Sequence, residues 1–105
     1  MIFITGGKSQ GKTEFAKSFK LNLTDNLEDL IKNWLEENKN IEEKINELFI
    51  DEKSVIVCLE VGCGIVPLDK QERIYREVVG RTACLVAKKA DEVYRLNCGI
   101  AQKIK

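Results

Sequence analysis

The chain has 105 residues, with 17 basic and 17 acidic side chains, a formal net charge of zero and no histidine. That length predicts one domain, residues 1–105. The charge balance marks no nucleic-acid or membrane surface, and no run approaches the ~20 apolar residues of a membrane-spanning helix.

Met1 to Thr5 is a short apolar run that reads as a buried parallel strand. Because the chain enters a strand at once, no signal peptide is expected and the cytoplasm is the default compartment. Gly6-Gly7-Lys8-Ser9-Gln10-Gly11-Lys12-Thr13 then completes G-x-x-x-x-G-K-[ST], a phosphate-binding loop. Thr13 to Lys20 reads as a helix with Phe15, Ala16 and Phe19 on one side. Strand, glycine loop and helix are the context the motif requires. Backbone N–H groups at a helix start point at an anion, and the helix dipole favours negative charge there. Gly6, Gly7 and Gly11 permit the close approach this needs. Lys12 is placed to reach the terminal phosphates of a nucleotide, and the Thr13 hydroxyl to ligate Mg²⁺.

Asp25 to Glu37 reads as an amphipathic helix, with Leu27, Leu30, Ile31, Trp34 and Leu35 on one stripe. Asp25 with Glu28 resembles a capping box. Trp34 shares its stripe with four aliphatics and reads as core. A second helix covers Ile41 to Phe49, with Asn40 and Glu43 as its cap pair. Ser54 to Val61 is β-branched and apolar, a central parallel strand. Glu60 lies near its end, where a carboxylate would hold or orient Mg²⁺ and serve catalysis; a solvent-facing strand end is the equal alternative.

Gly62-Cys63-Gly64 and Ile65-Val66-Pro67 follow, then a long helix from about Asp69 to Lys89. Gly80 inside it costs ~1 kcal/mol against alanine, which suggests close packing or a kink. Arg73, Arg76 and Arg81 project from this helix, either as phosphate clamps or as a solvated face paired with Glu72 and Glu77. Glu92 to Asn97 and Ile100 to Ile104 read as strands joined at Cys98-Gly99. None of Cys58, Cys63, Cys84 and Cys98 forms a C-x-x-C pair, so zinc is not expected and the thiols should be reduced. Cys58 reads as core packing; Cys63, in the glycine loop, is the one to watch for reactivity. The order β-α-α-α-β-α-β-β predicts an α/β fold: a small, three-layer P-loop NTPase-like domain with a mostly parallel sheet and a C-terminal β-hairpin. Ligands of such sheets bind beyond the carboxyl ends of the strands.

Glu60-Val61-Gly62-Cys63-Gly64-Ile65-Val66-Pro67 resembles the "NEVGxGIVP" element of the adenosylcobinamide kinase/adenosylcobinamide-phosphate guanylyltransferase family of cobalamin biosynthesis. The resemblance continues through Arg73, Tyr75-Arg76, Gly80-Arg81, Ala87, Ala90 to Tyr94, Gly99-Ile100 and Lys103 to Lys105. Ile4 to Gly7 with Gly11 to Thr13 is similar to the family's "VTGGxxSGKS". The resemblance implies Mg²⁺ with ATP or GTP, a corrinoid substrate whose alcohol is phosphorylated, and a homo-oligomer. The helix Asp25 to Glu37 is the expected contact between copies.

The chain departs from the family at Gln10, where serine is usual, and at Ala83 and Cys84, where the family has Asn and Gln. The family chain is longer, with further strands, one of them carrying a carboxylate, before the "NEVG" strand. Its second step, transfer of GMP through a guanylylated histidine, has no nucleophile here. The expected function is therefore a nucleotide-binding kinase of cobinamide type without that step. The alternative is a non-catalytic nucleotide-binding or partner-binding paralogue.

Overall fold

The computed structural model describes residues 1–7, 11–60 and 69–105. In chain order its elements are β1 (Ile2–Gly6), α1 (Lys12–Lys17), β2 (Asn22–Thr24), α2 (Leu27–Glu36), α3 (Ile41–Leu48), β3 (Ser54–Leu59), α4 (Lys70–Lys89), β4 (Glu92–Asn97) and β5 (Ile100–Lys103). The five strands form one sheet in the order β2-β3-β1-β4-β5. The first four run parallel; β5 is antiparallel to β4. The α/β class, the mostly parallel sheet and the terminal hairpin thus stand as expected.

Alternation along the strands sorts side chains into two layers. Phe3, Ile56, Cys58 and Val93 face one side and are buried with Leu27, Ile31, Ile45, Val79 and Val86 from α2, α3 and α4. Ile2, Ile4, Val55, Val57 and Leu96 face the other side, under Ala16, Phe15 and Phe19 of the α1 segment. Both faces are covered, which is why the central strands carry almost no polar residue. Trp34 packs into the first cluster with Leu30 and Leu35. The α2 stripe expected to meet a second copy is therefore taken up by the chain's own core.

The largest departures from the expected elements lie between the glycine loop and α2. The helix after the glycine loop stops at Lys17 rather than Lys20, and Phe19 belongs to the turn that follows. That early stop makes room for β2, a strand the periodicity did not predict because it holds only three residues. Leu23 is its one side chain packed into the core.

Caps follow local chemistry where no tertiary partner competes. Asn40 Oδ1 accepts from Glu43 N–H at 3.1 Å, and Asp69 Oδ1 accepts from Gln71 N–H at 2.8 Å. The expected capping box at Asp25 and Glu28 does not form. Asn26, with φ 53°, is the cap residue of α2, and it makes no side-chain cap bond. At the other end of α4, Lys105 Nζ donates to the carbonyls of Ala87 and Lys88, satisfying two acceptors of the last turn. Cys98 and Gly99, with φ 52° and 75°, make the two-residue turn of the β4–β5 hairpin. Among the described residues nothing lies within 4 Å of a Cβ added at Gly80, so they supply none of the close packing that was one of its two expected explanations.

Candidate phosphate-binding site

The carboxyl ends of β2, β3 and β1 bring together residues that the sequence scatters. The root of the glycine loop is fixed first. Gly6 ends β1, opposite Leu59 of β3 and Leu96 of β4. A Cβ added to Gly6 would stand 2.6 Å from the Leu96 carbonyl oxygen, so only glycine fits this rung. The Gly6 carbonyl accepts from Glu60 N–H at 2.8 Å. Gly11, with φ 81°, leads into α1 in the left-handed region, where a side chain is disfavoured.

Lys12 and Thr13 follow as the first residues of α1, both half-buried. Lys12 Nζ donates to the Gly7 carbonyl at 2.6 Å, so the ammonium lies folded back across the loop. Thr13 Oγ1 donates to Asp25 Oδ2 at 3.0 Å. Lys8, Ser9 and Gln10, the middle of the expected loop, lie outside the described residues, as do Cys63 and the glycine segment Gly62 to Pro67.

Asp25, expected to cap α2, instead accepts from Thr13, and Asn26 takes the cap position. Asp25 directly follows β2, and its second oxygen accepts from Asn26 N–H at 2.9 Å. The strand that carries it was expected to be missing. Its only sequence signal is a carboxylate directly after the alternating triplet Asn22-Leu23-Thr24, and that signal was read as a helix cap.

Glu28, the expected partner in that cap, lies elsewhere as well. Its residue is 8% exposed, and Leu59 N–H donates to both of its oxygens at 3.3 Å. The reason lies in the length of β2. The last β2 residue, Thr24, pairs with Ile56, so β3 runs on beyond its neighbour. Glu60 N–H turns toward β1, so Leu59 N–H turns the other way, to the side where β2 has ended. The Glu28 carboxylate supplies the acceptor that a longer β2 would have offered. Burial pushes the carboxyl above its ordinary value, while the Leu59 N–H and the Lys12 charge pull it down. Tyr75 of α4 donates its hydroxyl to the Glu28 carbonyl at 3.0 Å and so holds this part of α2 against α4.

Glu60 lies on the opposite side of the β3 end. Its Oε2 accepts from Arg95 Nε at 3.1 Å, and the two side chains are 29% and 44% exposed. β1 lies between β3 and β4, so this ion pair crosses above Thr5, whose rung partner is Arg95. Thr13 is thus met by Asp25, and Glu60 by Arg95. Of the arginines of α4, Arg76 pairs with Glu72 at 3.8 Å and Arg81 pairs with Glu77.

A hydroxyl and a carboxylate on one Mg²⁺ ion suit a hard cation that prefers oxygen and keeps several waters. Thr13 and Asp25 are such a pair, and Lys12 adds the positive charge that phosphates need. Among the described residues no cluster of three or more His, Cys, Asp or Glu forms a metal cage. Among the same residues no helix is long and apolar enough to cross a membrane.

Comparison with known proteins bears on the family of the chain and not on the loop residues. The family model described as "Cobinamide kinase / cobinamide phosphate guanyltransferase" matches residues 18–104, opening just after α1. The bifunctional adenosylcobalamin biosynthesis protein CobU of Salmonella typhimurium is 45% identical over 53 residues, which are 50% of this chain and 29% of that protein. Its Escherichia coli counterpart is 43% identical over 53 residues, with the same coverage of 50% and 29%. The matched stretch is less than a third of either relative. With the model spanning most of the chain, the conclusion is one of membership: the chain belongs to the cobinamide kinase / cobinamide phosphate guanyltransferase family.

Proposed function

We propose that the chain binds Mg²⁺ with ATP or GTP at Gly6 to Thr13 and transfers the terminal phosphoryl group to an alcohol, adenosylcobinamide being the substrate its family suggests. The observation that carries this reading is the Thr13–Asp25 contact of 3.0 Å beside Lys12. Phosphoryl transfer asks little covalent chemistry of a protein. It asks for positioning and for charge placed where the transferring oxygens develop it. Gly6, Gly7 and Gly11 with Lys8, Ser9 and Gln10 would cradle the phosphates, and Lys12 would swing from the Gly7 carbonyl onto them. Thr13 and Asp25 would hold the ion or its waters, and the ion would offset the phosphate charge. Glu60, once free of Arg95, is the further carboxylate available to orient the ion or the acceptor. A groove of about 600 Å³ between α2 and the start of α4, lined in part by Leu35, Ile74 and Tyr75, offers the acceptor room.

The guanylyl step is left out of this proposal, because the chain has no histidine to carry GMP. Incubation with Mg²⁺ and α-labelled GTP should leave no labelled protein after denaturation; a stoichiometric adduct would show another nucleophile. A second reading, a non-catalytic nucleotide-binding or partner-binding paralogue, draws support from the Arg95 ion pair that occupies Glu60. ADP formation that depends on added adenosylcobinamide separates the two, and its absence despite nucleotide binding favours the second. We further propose a cytoplasmic homo-oligomer. The outer edge of β5, with Ile100 72% and Ile104 60% exposed nearby, is the surface it would cover. A monomer in light scattering at tens of micromolar would exclude the assembly.

A further inference from the structure

We propose that the outer edge of β5 pairs with the same edge of a second copy of this chain, antiparallel about a two-fold axis at Gln102, so that two five-stranded sheets run on as one. The inference rests on the homo-oligomer reading above and gives that assembly its geometry.

β5 ends the sheet, and among the described residues no strand lies beyond it. The direction of its backbone groups follows from the hairpin. Ile104 N–H donates to the Val93 carbonyl at 2.8 Å and so points inward, toward β4. Residues two apart in a strand turn their amides the same way. Gln102 and Ile100 therefore also face β4, whereas Ala101 and Lys103 present N–H and C=O groups outward. Lys105 N–H donates to the same Val93 carbonyl at 3.3 Å, a bulge that ends the regular edge. What is left is a short free edge whose two outward residues stand evenly on either side of Gln102.

That spacing is self-complementary. In an antiparallel pair centred on Gln102, Ala101 of each copy lies opposite Lys103 of the other, and each such rung exchanges two main-chain hydrogen bonds. The same register sets Ile100 of each copy against Ile104 of the other. These side chains are 72% and 60% exposed in the single chain, an unusual state for isoleucine at a strand edge. By alternation they share one face of the strand with Gln102. A shallow recess of about 360 Å³, lined by Ala87, Lys88, Val93, Ile104 and Lys105, adjoins Ile104, and the incoming Ile100 extends its apolar wall. Charge allows this register as well. Lys103 is held by Glu92 at 3.1 Å and meets alanine across the axis. Moving the axis to Lys103 would set lysine against lysine, and moving it to Ala101 would leave the isoleucines unmatched.

The test starts with the wild type in sedimentation velocity at tens of micromolar, where a concentration-dependent dimer is expected, because a contact between equivalent edges closes at two copies. Gln102→Cys then reads the register. Across the axis the two Cα atoms would stand about 4.5 Å apart, within disulfide reach. Ile100→Cys would lie roughly 13 Å along the strand from its own equivalent. Both variants also carry Cys84→Ser and Cys98→Asn, which remove the exposed thiols, and asparagine suits the left-handed turn position. Mild oxidation should link two copies through position 102 and not through position 100, as mapped by mass spectrometry. A dimer linked through both positions or through neither overturns the register. A trimer overturns the two-fold pairing and leaves the homo-oligomer reading standing; a monomer sinks both.

Discussion

Two glycines should respond in opposite directions to the same added methyl group. At Gly6 the new Cβ would lie 2.6 Å from the backbone oxygen of Leu96 and 3.3 Å from its nitrogen. Backbone cannot rotate away as a side chain can, so β1 and β4 must part at that rung. Overpacking of this kind costs about 1–3 kcal/mol. For a domain of this size each kcal/mol moves the melting temperature by roughly 4–8 °C. Gly6→Ala should therefore melt about 5–20 °C lower by far-UV circular dichroism, and with the loop root displaced it should lose most of any nucleotide-induced shift. At Gly80 the same methyl meets nothing within 4 Å among the described residues, and it sits in the interior of a 20-residue helix. Alanine there gains ~1 kcal/mol in helix propensity, so Gly80→Ala should melt roughly 4–8 °C higher. A Gly6→Ala protein that melts with the wild type would refute the registered contact between β1 and β4. A lower melting temperature for Gly80→Ala would mean that something outside the described residues packs against α4.

Asp25→Asn should weaken nucleotide binding in Mg²⁺ by tenfold or more, about 1.4 kcal/mol, yet have little effect when binding is measured in EDTA; equal losses in both would take the ion out of its role. Lys12→Ala should remove most of the thermal stabilisation that saturating nucleotide gives, about 2.7 kcal/mol at a hundredfold excess over Kd, as followed by dye-based melting. For Glu28 the folded carboxyl lies above its ordinary value of 4.5. Its contribution to stability is therefore full below that value and is lost as pH rises through the folded one. Glu28→Gln should accordingly be no less stable than wild type at pH 8, with its relative stability falling toward pH 4; the opposite trend in urea melts would refute the cause assigned to the shift. Cys58 is buried with its thiol pushed up to about 12, whereas Cys84 and Cys98 are exposed. Iodoacetamide at pH 8 should label the latter two and spare Cys58 until the protein is unfolded, read site by site by mass spectrometry.

Much of this was legible because its causes are local. A glycine loop between an apolar strand and a helix, two amphipathic helices, a Cys-Gly turn and the Asn40 cap all depend on residues near each other in the chain. The failures share the opposite property. β2 is too short to show a period, and Asn22-Leu23-Thr24 reads as loop until Ser54 to Ile56 lies beside it. Asp25 and Glu28 fit a capping pattern that any acidic pair at that spacing satisfies, and Thr13 and the Leu59 N–H, brought near only by folding, outcompete the helix end for them. Glu60 reads as a free strand-end carboxylate until β4 places Arg95 across β1. Gly80 suggested tight packing from its helix-breaking cost, but space around a helix is a property of its neighbours. The site is thus half written in a motif and half in strand order.

The strand order also governs how the chain is made. β1 is synthesised before its sheet neighbours and lies in the middle of the sheet, yet its rung partners begin at Val55 on one side and Glu92 on the other. Its apolar edges wait through most of translation, at roughly 5–20 residues per second, before both can be matched. Long-range parallel pairing of this kind is slow to form. A nascent chain halted after α4 would hold β1 against β3 and leave the side meant for β4 open, an unpaired apolar edge of the sort that recruits other chains. Assembly of the sheet is therefore a late event, and the small hairpin of β4 and β5 is the closure on which β1 depends.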